Sequence, residues 1–446
     1  MKKRLLPLLC LIAWTAAEAK TPLRTAAESA AAENRSSATE HAATGYVPAG
    51  YTATGYTATG YTATGYTAAE PGNGRRRTRT LKGSGRMETQ QRGRAGNYHS
   101  LHVSRGIRVT VDPAASDILV TADDNVIDHV TVEGRDGDLR ISIDAQSVSN
   151  CSVSAVVPAS KRLETLRATA SAQIVCKAPV GRHSAVLLAS SGSSIEADVE
   201  TSDLQLTLSG SSRFAGTVRT GTGTVAASSG SRIRTDLHCS GTGDIRLTSS
   251  SAFDGSVQTG GGQITLSSGS RFNAPVRSDG TLDIVATSSS RFEGPVSAPD
   301  TRLMLSSGAA FRGAIRTGSL DATASSSSRL DGAMTAERAE LTATSGSAIR
   351  GEFSGERFEA QATSSARIEL LGDARVSAGS VSASSGSRFD APDLRVADYS
   401  INATSSSRAV VWCTRLLKAR HSSGALIDYG GECRVEDANS GLRKRP

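Results

Sequence analysis

L-T-L-S-G-S-S-R-F-A-G-T-V (Leu206–Val218) decides the fold, because variants of this stretch return along the chain at a nearly fixed interval. Its apolar anchor recurs as Phe214, Ile233, Phe253, Phe272, Phe292, Phe311, Leu330, Ile349, Ile368 and Phe389, in steps of 19 to 21 residues. Six of the chain's eight Phe stand in this one column. Ile174 and Ile195 fit the same spacing on the N-terminal side, and a degenerate copy, A-T-S-S-S-R-A, ends at Ala409. Self-similarity at such a period marks a repeat architecture.

Each copy carries further apolar columns. Ahead of the Ser-rich run stand Leu206, Val225, Ile245, Ile264, Ile284, Leu303, Leu341 and Ile401. Two residues on come Leu208, Leu247, Leu266 and Leu305, with alanine at Ala227, Ala286, Ala324, Ala343, Ala362, Ala383 and Ala403. Four residues past the anchor come Val218, Leu237, Val257, Val276, Val296 and Ile315. Alternation with period two argues for strand over helix. A copy of about 19 residues cannot bury its apolar face alone, and stacking the copies solves this.

The expected fold is therefore all-β: a single-domain parallel β-helix, a right-handed β-solenoid of about 12 coils of 19–21 residues, following a disordered N-terminal region. Parallel strands about 4.8 Å apart would stack like residues into ladders and make a rod of roughly 60 Å. Serines two positions before the anchor (Ser212, Ser231, Ser251, Ser270, Ser290, Ser328, Ser347 and Ser387) are placed to carry hydroxyl hydrogen bonds up the stack. Only 4% of the 446 residues are aromatic, which suits a thin core and not a set of ordinary globular ones.

Outside the repeats the chain changes character. Residues Met1–Ala19 read as a signal peptide: Lys2, Lys3 and Arg4, an apolar Leu5–Trp14, and Ala17-Glu18-Ala19 as the cleavage site. Its apolar run is too short to span a bilayer, so the mature chain is expected to be exported without a transmembrane segment, to periplasm, outer surface or medium. Residues 20–96 read as a disordered linker. It holds five pentapeptides, GYVPA from Gly45, GYTAT from Gly50, Gly55 and Gly60, and GYTAA from Gly65. Arg75, Arg76, Arg77, Arg79, Lys82, Arg86, Arg92 and Arg94 follow, against Glu88 alone. That excess of seven equals the formal net charge of the whole chain, +7, so the repeats are near neutral. The run reads first as a simply solvated linker; as to partners, nucleic acid is not expected of an exported chain, and an anionic envelope surface fits such a run better.

Residues 97–158 are denser in β-branched residues and should cap the N-terminal end of a 97–446 domain. Candidate strands are Leu101–Val103, Ile107–Val111, Ile118–Ala122, Val130–Glu133, Leu139–Asp144 and Val153–Val157, with Gly134–Asp138 as a hairpin turn. Residues 159–411 hold the repeats, and 412–446 should close the other end.

Four segments resemble the head GIN domain family of autotransporter adhesins: Tyr98–Pro113 (YHSLHVSRGIRVTVDP), Asp117–Ile143, Val156–Ile174 and Leu426–Gly441 (LIDYGGECRVEDANSG). The resemblance runs from near Tyr98 onward. It implies a β-solenoid, an exported bacterial location and no established activity. The chain departs from an autotransporter in that its last residues do not alternate like barrel strands, so self-translocation is not expected.

Candidate chemistry is sparse. Directly before the anchors stand Arg213, Arg232, Arg271, Arg291, Arg329, Arg367, Arg388 and Arg408. Directly after them come Asp254, Glu293, Asp331, Glu369 and Asp390, with Arg234, Arg312 and Arg350 breaking the sign. One account is a solvated, charge-compensated face. The other is an Arg/Ser face that takes acidic polysaccharide through bidentate contacts. Cys413 and Cys433, 20 residues apart, are about one coil apart and are a candidate disulfide; Cys151 with Cys176 is a weaker pair, and Cys239 is left over. His99 and His102 should lie on opposite strand faces, and Asp123, Asp124 and Asp128 form one acidic cluster with cap chemistry or calcium as readings. No cofactor, metal site or catalytic residue is expected. The repeats leave no room for cleft-forming loops, and no G-x-S-x-G elbow or P-loop occurs. The function expected is an adhesin-like surface or envelope interaction protein. A polysaccharide lyase or hydrolase of the β-helix type, and a passive structural or ice-binding solenoid, are the alternatives.

Overall fold

The structure is a computed structural model and describes residues 80–437 and 442–445. The signal-peptide, pentapeptide and Arg75–Arg79 readings lie outside the described residues. Within them the chain is all-β, with one short 3-10 turn, Ile127–His129.

The coil is clearest where its sides separate. Arg271–Asn273, Val276–Ser278 and Leu282–Ala286 are three successive strands, and each pairs in parallel with its equivalent one coil away. We call these the anchor, valine and leucine sides. Elsewhere two sides merge into one bent strand, as in Arg213–Ala227 and Arg232–Leu247. Like residues stack as their spacing requires: Phe214 sits opposite Ile233, Ile233 opposite Phe253, and Phe253 opposite Phe272. The rings of Phe253, Phe272, Phe292 and Phe311 form a continuous pile, with centroids 5.0, 4.7 and 4.9 Å apart. All four are fully buried. Each contributes about 1.5–3 kcal/mol by burial, and each stacked pair about 0.5–1.5 kcal/mol more.

The third corner of each repeat coil is the Ser-rich run, and its backbone explains its composition. Two consecutive residues take positive φ there, as Ser249 and Ser250 do at 52° and 60°. This is the turn that reverses a chain tightly with right-handed twist. The left-handed residue aims its N–H at the neighbouring coil: Gly230 donates to Ser249 O, Ser250 to Ser268 O and Gly269 to Ser288 O, each at 2.9 Å. The inter-coil ladder therefore continues around the corner with its polar groups satisfied.

The second left-handed position alternates strictly along the stack. It reads Gly230, Ser250, Gly269, Ser289, Gly308, Ser327, Gly346, Ser365, Gly386, Ser406 and Gly424. The true structural unit is thus a pair of coils. The buried serines just beyond the turn bond to backbone carbonyls and not to one another. Ser251 Oγ donates to Thr248 O and to Ala227 O of the preceding coil, and Ser347 Oγ to Ala324 O. They do tie coil to coil, through carbonyl acceptors.

Both ends differ from expectation. The predicted strands of residues 97–158 are all present within a residue or so, and Val130–Arg135 pairs antiparallel with Asp138–Ile143 around Asp136-Gly137. Two of the strands, however, make a regular coil: Ser100–Val103 and Arg108–Asp112 pair in parallel with Thr165–Ala168 and Gln173–Cys176. On their other side lie Asp138–Ile143 and Val153–Pro158. The chain thus lays its second coil first, then loops back to build the terminal one. Leu119–Asp123, antiparallel to both Val153–Pro158 and Met87–Gln91, covers the parallel edge there.

The expected linker is also too long at its C-terminal end. Thr80–Lys82 and Met87–Gln91 are strands, and the Arg92 guanidinium donates to Ile127 O at 2.7 Å. At the other end the repeat does not stop at Trp412. Arg408–His421 pairs along Arg388–Ala403, and Leu426–Gly430 adds a further coil on top. These additional coils bring the stack to about 14 turns where 12 were expected.

Candidate functional site

The anchor side carries the arginine column because the residue before each buried anchor must point outward on a strand. Arg213, Arg232, Arg271, Arg291, Arg329, Arg367, Arg388 and Arg408 are all exposed and in register. Arg213 lies opposite Arg232, and Arg271 opposite Arg291.

Their ionic surroundings divide the column in two. In the C-terminal coils the acids after the anchors reach the guanidinium groups. Arg350 Nε lies 3.4 Å from Glu369 Oε2, and Arg408 Nη2 2.6 Å from Asp428 Oδ2. Asp390 Oδ2 accepts from both Arg367, at 3.2 Å, and Arg388, at 2.5 Å. Its hydrogen bond raises the affinity of the Arg388 guanidinium for its proton. Among the described residues, Arg213, Arg232, Arg234, Arg271, Arg291, Arg312 and Arg329 have no carboxylate within 4.0 Å. From Arg213 to Arg329 is six coil steps, about 29 Å. In-register guanidinium groups repel, by about 1 kcal/mol per pair at contact in water, and a bound anion relieves that repulsion.

Cys413 is buried, its thiol donating to Ala397 O at 3.5 Å, and Cys433 is half-buried nearby, so that the Cys413 thiol helps to raise its pKa. Both are thiols in this structure. Cys239 is a buried thiol under Gly223 and Gly243. His99 meets Asp136 O and Asp138, whereas His102 lies beside Thr169. Burial, then Arg167 and Arg140, lower the pKa of His102.

The acidic cluster is a latch. Asp123 is 2% exposed, and its two oxygens accept the Gly85 N–H at 2.7 Å and the Ser152 N–H at 3.0 Å. Asp124 accepts from Ser84 Oγ at 2.5 Å, and Asn125 Nδ2 donates to Lys82 O at 2.8 Å. The cluster pins the strands Thr80–Lys82 and Met87–Gln91 to the cap. Among the described residues no group of three or more His, Cys, Asp or Glu stands together as metal ligands.

A groove of about 620 Å³ on the leucine side went unread in the sequence. Arg338 and Arg357 stand in register along one edge, and Glu340 and Glu359 along the other. Its signal is E-R-x-E at Glu337–Glu340 and again at Glu356–Glu359, 19 residues on, or one coil.

The family described as "Putative auto-transporter adhesin, head GIN domain" matches residues 97–285 and 314–433. Among solved structures, a putative adhesin from Parabacteroides merdae aligns at 15% identity, over 67% of this chain and 98% of its own, with a TM-score of 0.30. A putative lipid binding protein from Parabacteroides distasonis aligns at 14% identity, over 82% and 100%, with a TM-score of 0.22. A putative adhesin from Bacteroides fragilis aligns at 15% identity, over 66% and 98%, with a TM-score of 0.21. No curated protein matches the chain.

Proposed function

This chain belongs to the head GIN domain family, and from that premise we propose an exported bacterial surface or envelope protein that binds without catalysis. Its ligand is an acidic polysaccharide lying along the N-terminal half of the arginine stripe. One observation carries the reading: seven arginines on one side of the stack lack a carboxylate within 4.0 Å, while those of the C-terminal coils are paired. Planar guanidinium groups suit the carboxylates and sulfates of such a polymer, because they donate two parallel hydrogen bonds. A polymer running along the stack meets an arginine at nearly every coil, so weak contacts add by multivalency.

The test is binding of the full chain to alginate and to a sulfated glucan, with neutral dextran as control. Changing Arg213, Arg232, Arg271, Arg291 and Arg329 to Ser should lower affinity at least tenfold and flatten its salt dependence. Changing Arg388 and Arg408 should leave affinity within about threefold, because those groups already hold a carboxylate. Equal binding to dextran, or unchanged binding by the five-site variant, would overturn the stripe. Release of reducing or unsaturated ends during incubation would overturn binding without catalysis.

A further inference from the structure

The last full coil is held mostly from one side, and two cysteines meet where it turns. Cys413 lies in the strand Arg408–His421, and Cys433 directly precedes Arg434–Asp437 of the next coil. Trp412 sits opposite Gly430 and Leu416 opposite Arg434, which places the two cysteines at the same corner of adjacent coils. The backbone closes in tightly there: a Cβ built on Gly431, whose φ is +89°, would lie 2.2 Å from Cys413 O. The Cys433 thiol lies close enough to that of Cys413 for the two to influence each other's protons. In that register Cys413 stacks on Gly431 and Cys433 on Arg415, so the cysteines face each other diagonally across one coil step. The bend at Gly431-Glu432 must draw their Cα atoms into the roughly 4.4–6.8 Å that a disulfide spans.

We propose that Cys413 and Cys433 form a disulfide that pins the terminal coil to the one beneath it. The chemistry is thiol–disulfide exchange. Two S–H bonds break and one S–S bond forms. Two electrons reduce an incoming disulfide, of glutathione or of an oxidoreductase, to two thiols that take up the two protons. The bond closes a loop of 20 residues. It acts where a solenoid is weakest, since an end coil has one neighbour where an interior coil has two.

Timing follows from the surroundings. Burial, with the adjacent Cys413 thiol, pushes the Cys433 thiol up to about 12, so little thiolate exists once the coil has closed. Oxidation therefore belongs to the stage at which the terminal coil is still open. The finished bond is then shielded from reductant.

The full chain, refolded in a glutathione redox buffer, is unfolded, alkylated and digested. The expected product is a cross-linked Cys413–Cys433 peptide, lighter than the dithiol pair by about 2 Da, the two hydrogens lost. Cys413→Ser and Cys433→Ser should lower the melting temperature of the terminal coil by the same amount, and the double variant no further. Cys239→Ser should leave the cross-link in place. Alkylation of both cysteines in the oxidised wild-type chain, or a bridge from Cys433 to Cys151 or Cys176, would overturn the proposal. The wild-type peptide map decides the question even where a serine variant fails to fold. Because the redox buffer is supplied, the result is independent of where the protein resides.

Discussion

Gly308 lies under the hydroxyl of Ser289, so that a Cβ built on the glycine would stand 3.6 Å from Ser289 Oγ. The same relation recurs between Gly269 and Ser250 at 3.7 Å, and between Gly424 and Ser406 at 3.6 Å. At each pair one coil bears two left-handed serines, as at Ser288 and Ser289, and the next bears one, as at Ser307 before Gly308.

That relation gives paired substitutions opposite signs. A left-handed non-glycine residue costs about 1–2 kcal/mol, and glycine's extra freedom in the unfolded chain takes back about 0.4–1 kcal/mol. Ser289→Gly is therefore expected to stabilise slightly, by less than about 1 kcal/mol. Gly308→Ala is expected to destabilise by about 1 kcal/mol, at a φ of 72°. Urea unfolding followed by circular dichroism measures both; a stabilising Gly308→Ala would contradict the backbone account of the alternation.

Phe292 stands in the middle of the ring pile, with Phe272 at 4.7 Å and Phe311 at 4.9 Å. Phe292→Ala removes a ring between two fixed coils that cannot collapse into the gap, so the cost should be about 3–5 kcal/mol. Hydrogen exchange should speed up in the coils holding Phe272 and Phe311 and stay slow near Ile174. Uniform loss of protection along the rod would show that the stack unfolds as one unit rather than coil by coil.

Asp123 makes the N-terminal cap sensitive to acid. The Ser152 and Gly85 N–H groups hold its carboxyl below the usual 3.8. In the unfolded chain it titrates at the ordinary value and binds its proton first. The latch thus contributes fully above that ordinary value and is lost as pH falls through the lower folded one. Exchange at Met87–Gln91 should accelerate below about pH 4. Asp123→Asn should weaken the latch at neutral pH and flatten that acid limb; an acid limb unchanged in the variant would assign it to another group.

The sequence made the interior legible because burial and period coincide: Phe214 through Phe389 can be counted without knowing how the coil turns. The turn itself was opaque. Ser249 and Ser250 look interchangeable with any low-complexity serine until their φ values are known, so the coil-pair unit stayed hidden. The coil at Ser100–Asp112 has no Ser-rich run, and its place between later strands is a matter of long-range pairing that local pattern does not record. The arginine column could be read, but its division could not. Asp331 and Asp390 occupy equivalent positions after the anchor, yet only Asp390 is within ion-pair distance of the arginines. Pairing depends on how each side chain leans across the coil boundary.

Asp390 offers the most direct test of that division. It is 7% exposed and serves Arg367 and Arg388 together. Asp390→Asn removes the charge while keeping the shape, and leaves two guanidinium groups without an anion. Both arginines are about half exposed, so solvent screening holds the stability loss to about 1 kcal/mol. If an unpaired guanidinium is what takes a polyanion, the same change should strengthen polyanion binding and steepen its salt dependence, because the stripe gains two sites. Surface plasmon resonance on alginate at several salt concentrations reads both quantities. Weaker or unchanged binding in Asp390→Asn would mean that carboxylate pairing does not determine which arginines bind.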